Sequence, residues 1–129
     1  MGEDMKINTK INEKAKYRLH TFTGEFKFDD LFESLIGVYD DKDFNPDLNS
    51  VWNLTDVGGI ENISTDQIQK IVTYVSWKRE KYGSMKTAIV VSSRIHYGIA
   101  RMYEQSLEAA SKSEIMVFRD LESALEWIR

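Results

Sequence analysis

The last third of the chain is the feature that most constrains its fold. An apolar run from Thr87 to Val91 is followed by two serines and an amphipathic stretch from Ile95 to about Ala110. A second apolar run, Ile115 to Phe118, and a closing amphipathic stretch, Asp120 to Ile128, come next. The order strand, helix, strand, helix is typical of a parallel sheet covered by helices, so the sequence predicts an α/β fold.

The N-terminal part has the alternating pattern of paired strands. Residues Met5 to Phe26 place apolar and polar side chains in turn on either side of a polar turn at residues 12–15. This pattern predicts a β-hairpin whose second strand ends at Gly24. His20 has the opposite parity to Leu19, so we expect it to face solvent or an edge of the sheet.

A helix and a short strand are predicted next. Apolar residues at helical spacing run to about Tyr39, and Asp29 or Asp30 is a suitable N-cap. After an acidic loop, Ser50 to Leu54 reads as a strand. These elements continue the strand–helix alternation.

The longest predicted helix begins at Ser64. Ser64 and Gln67 have the spacing of a capping box. The basic residues Lys78, Arg79 and Lys81 lie near its end, where they complement the helix dipole, and Gly83 is a natural terminator. Its predicted buried stripe consists of Ile68, Ile71, Val72, Val75 and Tyr82.

Composition limits the class of protein. The 129 residues predict one domain, residues 1–129, with a mixed five-stranded sheet and four helices. The net charge of -4 gives no support for nucleic-acid binding. Cysteine is absent, which excludes disulfides and thiol catalysis. The polar start of the chain and the lack of a long apolar run predict a cytoplasmic protein that does not insert into a membrane.

Five parts of the chain carry a resemblance to known proteins: Gly24, Asp43–Leu48, Val51–Val57, Tyr97–Glu104 and Val117–Trp127. In these parts the chain resembles the bacterial SpoIIAA-like proteins of the STAS and CRAL-TRIO-like superfamily. The resemblance covers nearly the whole chain. It implies the SpoIIAA-like fold: an N-terminal β-hairpin, then parallel strands, with four helices.

The resemblance also implies a class of function. Regulatory members of the family are non-enzymatic modules that act through protein–protein contacts, and we expect the same here, with a protein partner or a homodimer. The CRAL-TRIO relatives imply a different class, a carrier or sensor of a small anionic or lipid-like ligand. No catalytic residue, cofactor or metal site is predicted, because no catalytic or metal-ligand motif is present.

Ser64 and Thr65 are the first candidate site. In the regulatory relatives a phosphorylatable serine lies at the start of the corresponding helix, in an Asp-Ser-Ser-Gly-like phrase. The matching stretch here, Asn62–Asp66, lacks the flanking Asp and Gly. A phosphate would be favoured by the helix N-terminus, but the capping box already explains Ser64 as a plain N-cap.

The segment after the strand Thr87 to Val91 is the second candidate. Ligands of open α/β sheets bind beyond the carboxyl ends of the parallel strands. Free N–H groups, hydroxyls and an arginine at this point would suit a small anion. The alternative is that Ser93 caps the helix and its neighbours make ordinary surface contacts. The residues concerned are Ser92, Ser93, Arg94, His96 and Tyr97.

Tyr74 and Trp77 are the third candidate. On the long helix they lie beside the Ile71/Val75 stripe and not squarely on it. That position predicts a partly exposed aromatic patch, which is typical of an interaction surface. The alternative is a widened core face.

Overall fold

One mixed sheet organises the molecule. The computed structural model describes residues 4–82, 85–111 and 114–129. The strands, in their order across the sheet, are β1 (Lys6–Asn12), β2 (Tyr17–Glu25), β3 (Asn49–Gly58), β4 (Thr87–Val90) and β5 (Ile115–Phe118). The helices are α1 (Phe28–Tyr39), α2 (Thr65–Tyr82), α3 (Arg94–Ala110) and α4 (Leu121–Ile128), with a short 3-10 turn at Ile60–Asn62.

The strand directions agree with the prediction. β1 and β2 form an antiparallel hairpin, and β2, β3, β4 and β5 are parallel neighbours. Helices α1, α2 and α3 make the three crossovers between the parallel strands. The carboxyl ends of all four parallel strands therefore meet at one edge of the sheet, and the amino ends at the other.

Helices cover both faces of the sheet. On one face, α1, α2 and α3 pack over Phe22, Trp52, Ile89 and Val117 in the larger core. On the other face, α4 packs over Val51, Ala88 and Val90, using Ala124 and Ile128. Alternate residues of β3 and β4 enter different cores, as the two-residue period of a strand requires.

The caps of the helices match the sequence except in α1. The Ser64–Gln67 capping box forms, and Ser93 and Asp120 cap α3 and α4. The prediction that Asp29 or Asp30 caps α1 is wrong, because α1 begins at Phe28 after Lys27, whose side chain makes no capping bond. Both aspartates lie in the first turn of α1, where their charge favours the positive end of the helix dipole.

His20 is the clearest departure from the sequence prediction. It is fully buried instead of facing solvent or an edge. Its ring stacks on Trp52 with centroids 4.2 Å apart, and its Nδ1 lies 2.8 Å from Thr9 Oγ1. β2 has helix-covered neighbours on both faces, so alternation cannot identify an outward parity. Burial, with a smaller effect of the nearby Arg18 charge, lowers the pKa of His20 to about 3.

One smaller prediction is wrong, and another falls on a residue that the structure does not describe. Gly24 does not end the second strand, since β2 continues to Glu25, pairing with Gly58 of β3. The predicted terminator Gly83 lies outside the described residues. None of the helices within the described residues is long and apolar enough to cross a membrane.

Candidate functional site

An apolar cavity lies between the sheet and helices α1, α2 and α3. Its volume is about 110 Å³. Most of its wall is aliphatic or aromatic, including Trp52, Ile71, Val75, Ile89 and Ala100. A void of this size is notable in a domain of this length, because protein interiors are otherwise close-packed.

The burial of the wall differs between the two ends of the sheet. Near the amino ends of the strands, the wall residues Tyr39, Arg79 and Thr87 are only 4 to 5% exposed. Near the carboxyl ends, the wall residues Leu54 and Ile63 are partly exposed. The cavity therefore approaches solvent at the carboxyl edge and ends deep in the protein at Arg79.

Arg79 is the unusual member of the wall. Its Nη1 donates to the carbonyl of Met85 at 3.0 Å, and its Nη2 donates to the Thr87 hydroxyl. Its buried Nε has no hydrogen-bond partner among the described residues. No carboxylate in residues 4–82, 85–111 and 114–129 forms an ion pair with it. A buried guanidinium without an anion is costly, so Arg79 calls for an explanation.

The surroundings of Arg79 add positive charge and phenol groups. Arg18, also 4% exposed, donates to Ser50 Oγ at 2.9 Å and to the Asn45 carbonyl, and approaches the Met85 sulfur at 3.5 Å. Burial lowers the pKa of Arg18 and raises that of Tyr39, while the Arg79 and Arg18 charges act on Tyr39 in the opposite direction. Burial also raises the pKa of Tyr103. The inner end of the cavity thus carries one cation, Arg79, and neutral phenols, while Arg18 lies nearby outside the cavity wall.

His96 marks the outer end. It lines the cavity, and its Nε2 lies 2.6 Å from Glu61 Oε2. The Glu61 carboxylate is held in its charged form, since a bond to its own backbone N–H and then His96 lower its pKa. His96 Nδ1 is buried without a partner among the described residues. This pair joins α3 to the 3-10 turn beside the mouth of the cavity.

The other predicted ligand residues have structural partners. Ser93 accepts the His96 N–H and caps α3, as the alternative interpretation expected. Ser92 Oγ donates to the Thr55 carbonyl, and Arg119 donates to the Ser92 carbonyl. Arg94 is exposed and Tyr97 packs against the larger core. Of this predicted set, His96 alone lines the cavity.

Ser64 and Thr65 are both exposed at the start of α2. The Ser64 hydroxyl accepts the Gln67 N–H at 3.1 Å, and Gln67 accepts the Ser64 N–H at 3.0 Å. The capping interpretation is therefore confirmed. Phosphorylation of either residue stays a prediction.

Tyr74 and Trp77 differ in their exposure. Trp77 is 58% exposed, whereas Tyr74 is half-buried against Phe32 and Tyr39. Burial, together with the Asp40 carboxylate, raises the pKa of Tyr74 to about 12. A shallow groove beside them, between α1 and α2, is lined by Phe32, Asp66, Gln69, Lys70, Thr73, Tyr74 and Trp77.

Sequence reasoning missed Arg79 as a site residue. It was assigned to the helix dipole together with Lys78, yet both are buried, and Lys78 pairs with Asp40 at 2.6 Å. A signal was present, because Arg79 continues the inward spacing of Ile71 and Val75 along α2. A charged residue on the apolar stripe of a helix points into the core.

Comparison with known proteins supports the fold. A scan of protein-family models and a search of curated proteins found no match. The chain is similar to a solved structure, that of an uncharacterized protein from the DUF3478 family with a SpoIIAA-like fold, from Shewanella loihica PV-4. The alignment has a TM-score of 0.59 and 16% identity, and covers 97% of this chain and 94% of that chain. The expected SpoIIAA-like fold is confirmed.

Proposed function

We propose that this protein is a non-enzymatic binding module that holds a small molecule in the cavity under α1, α2 and α3. The observation that carries the proposal is the apolar cavity of about 110 Å³. Apolar cavities of about 150 Å³ bind benzene or xenon in other proteins. The cavity also has a graded wall, with a partly exposed outer end and a buried inner end, which suits entry and retention of a ligand.

The absence of turnover is part of the proposal. The polar groups of the wall are a guanidinium, two phenols and a threonine at the inner end, and a histidine paired with a carboxylate at the outer end. Among the described residues no group of three or more His, Asp and Glu side chains could hold a metal ion. A carrier or sensor needs only differential binding, so we place the function in that class.

The test is an NMR titration of the full chain with benzene. We expect saturable shifts of the Ile71 and Ile89 amides, which flank the cavity. Ala100→Leu fills the cavity from α3 and should abolish the shifts. Ala109→Leu makes the same change at an exposed position of α3 and should leave them intact. Equal binding by both variants, or no saturable shift in the parent chain, would contradict the proposal.

Self-association through the α2 surface is a second candidate. It is favoured by Trp77, whose 58% exposure is high for a tryptophan. The adjoining groove carries both an acidic Asp66 and a basic Lys70. A two-fold axis that passes between these two residues would place Asp66 of each copy opposite Lys70 of the other in an isologous interface. The alternative is that a different protein binds to the same surface.

Analytical ultracentrifugation tests self-association. Trp77→Ala should weaken a dimer, and the control Met102→Ala removes an exposed apolar side chain from α3 instead. A monomer at all concentrations in the parent chain would refute self-association. The Ser64 phosphorylation switch is a further regulatory hypothesis, supported by the exposure of Ser64 at the N-terminus of α2.

A further inference from the structure

We propose that the ligand of the cavity is a small amphipathic carboxylate, with its head on Arg79 and its apolar body along the cavity. This inference rests on the proposed function, since it names the ligand class of the same cavity. It places the anion at the amino ends of the strands. The sequence alone had pointed to the opposite edge, at Ser92 to Tyr97.

Arg79 has hydrogen-bond donors that are not used by the described residues. A guanidinium has five N–H donors in a fixed fork that matches a carboxylate. Arg79 makes two hydrogen bonds to described residues, to Met85 and Thr87, and its Nε–H has none. The side chain is 4% exposed, so bulk water does not compensate the missing bonds. Donors are therefore available on a buried cation that lines a void.

The buried charge around Arg79 is positive. Arg18 is buried close by without a carboxylate partner among the described residues, and its effect on Tyr39 adds to that of Arg79. Arg79 lies on the cavity wall and Arg18 lies outside it, and neither pairs with a carboxylate in the part of the chain that the structure describes. This excess of buried positive charge favours a negative ligand over a neutral one. The Glu104 carboxylate is buried too, but it pairs with Arg101.

The rest of the cavity suits the apolar body of such a ligand. Beyond Arg79 the wall is apolar along α2 and β4, with Ile71, Val75 and Ile89 exposed to the cavity. One ligand with a charged head and an apolar body would satisfy both parts of this wall. The volume of about 110 Å³ limits that body to a short chain or a single ring.

A purely structural role for Arg79 is the competing explanation. In that role it would tie the end of α2 to the start of β4 through Met85 and Thr87. Such a clamp affects stability but gives no preference between an anionic and a neutral ligand. The experiment therefore measures that preference.

Isothermal titration calorimetry at pH 7.5 compares pentanoate with 1-pentanol on the full chain. We expect pentanoate to bind at least roughly tenfold more tightly, since hydrogen bonds to charged groups are the stronger ones. Arg79→Met should remove the preference. Arg94→Met removes an exposed positive charge at the carboxyl edge and should retain it. The Arg79 Nε–H resonance of the parent chain provides a readout that does not depend on how a variant folds, and pentanoate should shift it while 1-pentanol does not.

The outcomes separate the two proposals. If pentanol binds as tightly as pentanoate, the cavity is a binding site but the carboxylate assignment is wrong. Loss of the preference in Arg94→Met, with no shift of the Arg79 Nε–H, would move the anion to the carboxyl edge and overturn this inference. If neither compound nor benzene binds, the proposed function itself fails.

Discussion

Replacing His20 with phenylalanine should make the protein resistant to acid. The phenyl ring has nearly the same shape, so it can keep the stack on Trp52. The substitution removes a buried ring nitrogen, Nε2, that has no partner among the described residues. It also removes the bond to Thr9, whose exposed hydroxyl can turn to water. At pH 7.5 we expect stability within about 1 kcal/mol of the parent chain, or higher.

The magnitude in acid follows from the pKa difference. The pKa of His20 is about 3 in the folded chain and about 6.5 when unfolded. The unfolded chain therefore binds more protons between these values. The contribution of neutral His20 to the free energy of unfolding is therefore fully present above pH 6.5 and is lost as the pH falls toward 3. Between pH 7.5 and 4.5 this one group should cost about 3 kcal/mol.

Urea unfolding at pH 7.5 and pH 4.5 measures the effect. Carboxylates with lowered pKa values, such as Asp40 and Asp120, also destabilise the folded chain in acid. They are present in both proteins and cancel when the two pH differences are subtracted. We expect the parent chain to lose about 3 kcal/mol more than His20→Phe.

Equal acid sensitivity in the two proteins would refute the reasoning. It would mean that His20 is hydrated or becomes protonated without unfolding. A direct check is the NMR titration of its ring, which should show no protonation down to at least pH 4.5.

Substitutions at four further positions test the fold and the cavity. Ser64→Ala should lower the free energy of unfolding by about 1 kcal/mol through loss of the capping box, and Ser64→Asp should restore most of it. Gly98→Ala should stabilise α3 by about 0.5 to 1 kcal/mol, because a Cβ there meets nothing within 4 Å. Gly59→Ala should instead destabilise, since Gly59 has a φ of +77°. Ala100→Leu should stabilise the ligand-free chain by about 0.5 to 2 kcal/mol while it removes benzene binding. Urea unfolding measures all four, and a loss of stability in Ala100→Leu would indicate that the cavity is too narrow for the added carbons.

Periodicity predicted the elements well where one face of an element decides burial. The bounds of β5 are those of the apolar run Ile115 to Phe118, and α3 begins one residue before the predicted Ile95. Alternation of strands and helices then determined the parallel order, since a parallel pair requires a crossover. These are local signals, and they extend over the whole C-terminal third.

The candidate site was less predictable because it depends on contacts between distant segments. His20 and Arg79 are polar residues in buried positions, and a local pattern assigns such residues to the surface. The spacing of Arg79 from Ile71 and Val75 did carry information, but the residue type outweighed it. The volume of a cavity is the small part of the space between three helices and a sheet that their side chains leave unfilled. No stretch of sequence encodes it.

The cavity and Arg79 are best understood together. An apolar cavity of about 110 Å³ leaves part of its wall without packing partners, which lowers the stability of the empty protein. An uncompensated buried guanidinium lowers stability as well. Each feature alone would be removable by an ordinary apolar substitution, such as a larger residue at Ala100. Because the charge lies on the wall of the void, a single amphipathic anion would offset both costs, and the ligand-bound protein would be the more stable form.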